Sequence, residues 1–226
     1  MRSLLILSCF FLHVIAINAQ SPHKTSFKRL AISFSPGTVP LPGNPLSLQP
    51  GIEFFFTPRI SLLNEIGLQT MRNSDLDSTA LNKRYFKYKA EARYYFFSND
   101  KKGFNPYLGL QFTTANRKFD VGKTYRYYDT FQDDSVYSYS RASINSSVKT
   151  MVLQLGGTIR IFKNFYSELY IGYGARFVNT MYYSVENLQK IRNVGFFNIK
   201  PISSFRYIGK VTGTQLNLGF RISYRF

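Results

Sequence analysis

The chain has one cysteine, no tryptophan, two histidines and few acids: 12 Asp and Glu against 29 Lys and Arg. Each shortage excludes something. A lone cysteine, Cys9, forms no internal disulfide, and its position inside an apolar run is too early for a lipoprotein cleavage site. His13 and His23 are the only imidazoles, both near the N-terminus, so no Ser–His catalytic pair and no His/Cys zinc set can be drawn in the body of the chain. No segment after the N-terminus approaches the ~18 consecutive apolar residues of a membrane-spanning helix. The formal net charge of +17 and pI near 10.0 would suit nucleic acid. An exported chain instead meets anionic lipid and phosphorylated glycolipid.

Export is what the N-terminus predicts. Met1-Arg2-Ser3 is a short positive region, Leu4 to Ile17 is apolar apart from Ser8 and His13, and Ala19 offers a small residue for cleavage. That order is the order of a secretory signal peptide. The expected organisation is a signal peptide over 1–19, a short periplasmic segment over 20–28 and one β domain over 29–226.

What the chain has in abundance is Phe and Tyr, 22 and 17 copies, and a period of two. From Leu216 to Phe226 every even position is apolar or aromatic, and every odd one is Gly, small polar or Arg. Such a segment is a strand with one greasy and one polar face. Eleven residues at ~3.3 Å, tilted as in a barrel, rise about 25 Å, enough for a bilayer core. The same alternation runs through Leu30–Phe34, Ile52–Phe56, Ile60–Met71, Phe86–Phe96, Leu108–Thr113, Met151–Ile161 and Glu168–Phe177, with Asn64 interrupting one apolar face. The eight segments predict an all-β fold: an eight-stranded antiparallel up-and-down transmembrane β-barrel. Short connections at Thr57-Pro58-Arg59, Ser98 to Asn105 and Phe162 to Phe165 alternate with long ones at Ser35–Ser47, Arg72–Arg84, Asp120–Ser147 and Thr180–Val211. The first long one carries Pro36, Pro40, Pro42 and Pro45. Aromatics beside the short turns (Phe54, Phe56, Tyr94 to Phe97, Phe162, Phe165, Tyr166, Tyr224, Phe226) form an expected interfacial girdle.

These strands resemble the small outer-membrane barrels of the OmpA/OmpX-like and related Bacteroidetes families, from about Arg29 to Phe226. The likeness is most specific at the final aromatic strand. It implies that Phe220, Ile222, Tyr224 and Phe226 carry the signal read by the barrel-assembly machinery. The segment Gly51 to Arg59, followed by Ile60-Ser61-Leu62, also looks like a hairpin of these barrels.

The inward positions hold Glu53, Glu65, Glu91 and Glu168 with Lys87, Lys89, Arg93, Arg160, Arg176, Arg221 and Arg225. An interior of eight strands is just wide enough for side chains to fill it. A packed plug of ion pairs is the favoured reading, and a narrow anion path is the alternative. Asp133-Asp134 could be a pair of acids but reads more simply as solvated. Gly156-Gly157 and Gly172-x-Gly174 lie on strands, without the helix that a phosphate loop needs. Binding belongs in the long loops. One is Tyr-rich, with Tyr125, Tyr127, Tyr128, Tyr137 and Tyr139. The other carries Lys190, Arg192, Lys200, Arg206 and Lys210, a set for an anionic surface. The expected role is non-enzymatic, structural or surface-interacting, in the bacterial outer membrane. Lipopolysaccharide and the assembly machinery are the expected partners; no nucleic acid and no cofactor are expected. Alternatives are a small ion or solute channel and a lipid-modifying enzyme without a His base.

Overall fold

The computed structural model describes residues 29–35, 47–69, 80–97, 103–122, 124–128, 136–191 and 207–226. Residues 1–28, and with them the signal peptide, the 20–28 segment and His23, lie outside that set. So do Pro36 to Pro45, Asp133-Asp134, Arg192, Lys200 and Arg206.

Eight strands form a closed antiparallel barrel: β1 (Leu30–Ser35), β2 (Ser47–Phe55), β3 (Ile60–Gln69), β4 (Ala80–Tyr95), β5 (Phe104–Val121), β8 (Arg141–Phe162), β9 (Phe165–Glu186) and β11 (Tyr207–Arg225). Each pairs with its neighbour, and β1 closes the ring on β11 through Ala31–Arg225 to Phe34–Ile222. Three short strands, β6 (Thr124–Tyr128), β7 (Val136–Tyr139) and β10 (Gln189–Ile191), build a small sheet beside the start of β11.

The alternation sets the register. Ile52, Phe86, Leu110, Leu153, Leu169 and Leu218 point outward and stay 46–60% exposed. Residues of the opposite parity on the same strands, Glu53, Lys89, Gln111, Gln154, Glu168 and Arg221, point inward and are buried. Water would penalise an outer face of this kind; a hydrocarbon slab solvates it, and closure leaves no edge to satisfy. Around the short turns the outward rings contact edge-on: Phe54 with Phe56 at 5.1 Å, Phe165 with Tyr224 at 4.9 Å and Tyr224 with Phe226 at 4.9 Å. Tyr95 and Tyr166, expected in this girdle, instead face inward and are buried, because they fall on the inward parity of β4 and β9.

The strands run past the membrane. β8 and β9 each have 22 residues, roughly twice what a bilayer core requires. Among the described residues, the connections expected over Asp120–Ser147 and Thr180–Val211 are therefore largely strand. The reason is visible on β8, where the alternation changes sign. Within the belt, Met151, Leu153 and Leu155 face out. Beyond it, Ala142, Ile144 and Val148 face in and are buried, while Asn145, Ser147 and Lys149 face out. Water has replaced lipid as the outer solvent, so apolar residues move to the inside. Of the tyrosines expected to be free contact surface, Tyr139 is buried on β7 and packs edge-on against Tyr182 at 5.9 Å.

Candidate functional site: the barrel lumen

The lumen is layered. Beside the short turns lies an aromatic layer of Phe55, Tyr95, Tyr107 and Tyr170 around Ala31. The rings of Tyr107 and Tyr170 lie over Gly156 and Gly219, where a Cβ would overlap them. Glycine on one strand makes room for a large ring on the next. Arg225 sits over the rings of Tyr166, at 4.1 Å, and Phe55, at 4.8 Å. A guanidinium is weakly hydrated and tolerates such an aromatic seat.

Above this is the ion layer. Arg93 donates from Nε to Glu91 at 2.9 Å, from Nη1 to Glu53 at 3.2 Å, and from Nη1 and Nη2 to the two oxygens of Glu168, both at 3.0 Å. Arg221 donates to the two oxygens of Glu65 at 2.8 and 3.1 Å, reaches Glu91 at 3.6 Å and also pairs with Glu168. Lys89 pairs with Glu65. Hydroxyls satisfy the remaining lone pairs: Ser35 donates to Glu65 at 2.7 Å, Tyr95 to Glu53 at 2.9 Å, Tyr107 to Glu168 at 2.7 Å, and Ser61 to Glu53. Arg93 and Arg221 also lie over the rings of Tyr107 and Tyr170 at 4.6 and 4.9 Å. All four carboxylates and both guanidiniums are at most 2% exposed. An isolated charge at such depth is prohibitively costly, whereas a forked, hydrogen-bonded network is tolerated.

Strand positions explain the convergence. The charged residues come from β2, β3, β4, β9 and β11: three inward positions on β4 (Lys89, Glu91 and Arg93) and one on each of the others. Gly109 on β5 leaves space for Glu91, whose Oε1 would lie 2.8 Å from a Cβ there. The network thus crosses the barrel from wall to wall.

Beyond the ion layer is a small cavity lined by Lys87, Lys89, Arg117, Gln111, Thr113, Thr150, Gln215 and Asn217, with Tyr85, Ala115 and Val148. Ala115, Val148 and Val178 form a small apolar cluster there with Tyr85.

Of the inward charges expected from the sequence, Glu53, Glu65, Lys89, Glu91, Arg93, Glu168 and Arg221 meet in one network. Lys87 and Arg176 lie beyond it on β4 and β9, and Arg225 lies on the turn side. Arg160 is a correction. It is exposed, and its Nε donates to the carbonyl of Lys163 at 2.8 Å. The register shifts between Arg160 and Phe162, and Lys163 turns at φ 38°, so Arg160 folds onto the hairpin rather than into the lumen. Lys190 and Lys210 are exposed, on β10 and β11. Phe220, Ile222, Tyr224 and Phe226 share the outward face of β11. Arg117 was missed, although it continues the inward frame of Gln111, Thr113 and Ala115; following that frame past Thr113 would have found it.

No protein-family model matches the chain, and no curated protein does. Among solved structures, the crystal structure of Acinetobacter baumannii CarO is similar, with 8% identity and a TM-score of 0.41 over 90% of this chain and 100% of that one. A likeness at that level assigns no family and no activity. The chain's own geometry gives the conclusion: an all-β protein whose eight antiparallel strands, each paired with its neighbours in chain order and closed by β1 on β11, form a transmembrane barrel.

Proposed function

We propose that this chain is a non-enzymatic outer-membrane barrel with a closed lumen and a structural or surface-interaction role. The observation that carries this reading is the buried layer of Arg93, Arg221 and four glutamates spanning the interior. Every carboxylate in it is engaged by a cation or a hydroxyl, which suits a plug better than an acid–base pair or an ion path. Interaction with other molecules is assigned to the water-exposed end, where β5, β8, β9 and β11 extend past the apolar belt and carry the β6–β7–β10 sheet.

The bacterial outer membrane is the location that a secretory N-terminus and a closed apolar-belted barrel together support, with lipopolysaccharide as neighbour. The outward face of Phe220, Ile222, Tyr224 and Phe226 would present the assembly signal, as the OmpA/OmpX-like resemblance implies. The exposed Lys190 and Lys210 would lie against anionic head groups.

Planar-bilayer reconstitution tests the closed lumen. The purified barrel should give no stepwise conductance. Steps that change on Arg176→Gln or Arg221→Gln would establish the channel alternative instead. A mass change in lipid A between cells with and without the protein would establish the enzymatic one.

A further inference from the structure

The lumen is not neutral. Facing inward in the described strands are Lys87, Lys89, Arg93, Arg117, Arg176, Arg221 and Arg225, against Glu53, Glu65, Glu91 and Glu168. The cations exceed the carboxylates, and the excess is not spread evenly. The carboxylates lie together in the ion layer, engaged with Arg93, Arg221 and Lys89. The cavity beyond that layer is lined by Lys87, Lys89 and Arg117 and by no carboxylate. Arg176 lies opposite Thr150 of its wall, close enough to Arg117 for mutual repulsion. Lys87 faces the fields of Lys89 and Arg117, with Glu65 as the acid nearest below.

We propose that this cavity binds a small, soluble oxyanion of the phosphate class, either inorganic phosphate or a phosphomonoester. Two observations carry it. The first is charge: a multivalent anion there balances the like charges that the barrel wall gathers in a water-poor space, where pairing is stronger than at the surface. The second is donor chemistry: a guanidinium fork, an ammonium and the hydroxyls of Thr113 and Thr150 face one space, and forks and ammonium groups together suit the several oxygens of a phosphate. The ion layer beneath makes this a dead-end site rather than a passage. The inference goes beyond the closed-barrel reading and needs only the lumen, not the identity of the membrane.

The test uses the full folded barrel in a phosphate-free detergent. Isothermal titration at low salt with inorganic phosphate and with glycerol phosphate should show saturable binding. Arg117→Gln should weaken it at least tenfold, Lys87→Gln should weaken it also, and the exposed Lys163→Gln should leave it unchanged. Each variant is first checked for the heat-dependent gel shift of the folded barrel. If Arg117→Gln fails that check, Lys87→Gln alone decides. Three results would overturn the proposal: no phosphate binding by the folded wild type, equal weakening by Lys163→Gln, or affinity only for vesicles of anionic phospholipid with none for free phosphate.

Discussion

Replacing Arg221 with Met removes the fork that ties β11 to β3 and β9. The arginine is 0% exposed. Its loss takes away both bonds to Glu65, the contact with Glu168 and the bond to Ser35 Oγ at 3.2 Å. In the ion layer, four carboxylates face Lys89, Arg93 and Arg221, so the layer already carries one excess negative charge. R221M doubles that excess without changing the volume greatly. Removing one member of a buried ion network costs ~3–5 kcal/mol, a change of over a hundredfold in the folding equilibrium. Two features pull the value toward the lower figure. Glu65 keeps Lys89, and Glu168 keeps the two bonds from Arg93. The partner variant E168Q restores the original balance in the R221M background. The double variant should therefore fall short of the sum of the singles by ~1–3 kcal/mol. With no tryptophan in the chain, the readout is far-UV circular dichroism, or the fraction of folded band on an unboiled gel, in urea titrations from lipid vesicles. R221M within 1 kcal/mol of wild type, or strict additivity of the singles, would refute the view that these charges act as one network.

Three further perturbations probe other parts of the account. Gly219→Val should abolish the folded gel band, since its side chain would enter the Tyr170 ring. Gly213→Val, with open space around it, should fold normally. Leu153→Arg, at the middle of the outward belt and 56% exposed, should cost ~2–4 kcal/mol in vesicle refolding. Ser147→Arg, outward on the same strand but beyond the belt, should stay within ~0.5 kcal/mol of wild type in the same assay. Tyr139→Ala should loosen the β6–β7–β10 sheet, read as faster amide exchange in Tyr137–Tyr139, while the main barrel keeps its protection.

The membrane half of this fold is written openly in the chain, because lipid outside and a polar lumen inside force a strict two-residue period. Leu216 to Phe226 displays it residue by residue, and the inward positions of Glu53, Arg93, Glu168 and Arg221 follow from parity alone. The upper half is harder to read. On β8 the same period persists with its sign reversed, as Ile144 and Val148 turn inward and Asn145 and Ser147 outward. A search for outward apolar residues ends at Met151 and takes the remainder for loop. Arg160 fails for a different reason. It continues the inward parity of β8, but the hairpin carbonyl of Lys163 captures it at a register shift that no periodicity encodes. The convergence of Arg93 and Arg221 on Glu168 is likewise invisible to strand patterns, because it depends on stagger between strands separated by up to 128 residues in sequence. The inward orientation of Tyr95 and Tyr166 was legible from parity, yet clustering with outward rings disguised it.

The most direct test of the central claim is heat-modifiability after membrane fractionation. The same detergent extract, boiled and unboiled, is run on a denaturing gel. A closed barrel fastened through β1 and β11 should need detergent for extraction and should change mobility on boiling. A protein released without detergent, with one mobility under both conditions, would contradict a membrane-spanning closed barrel.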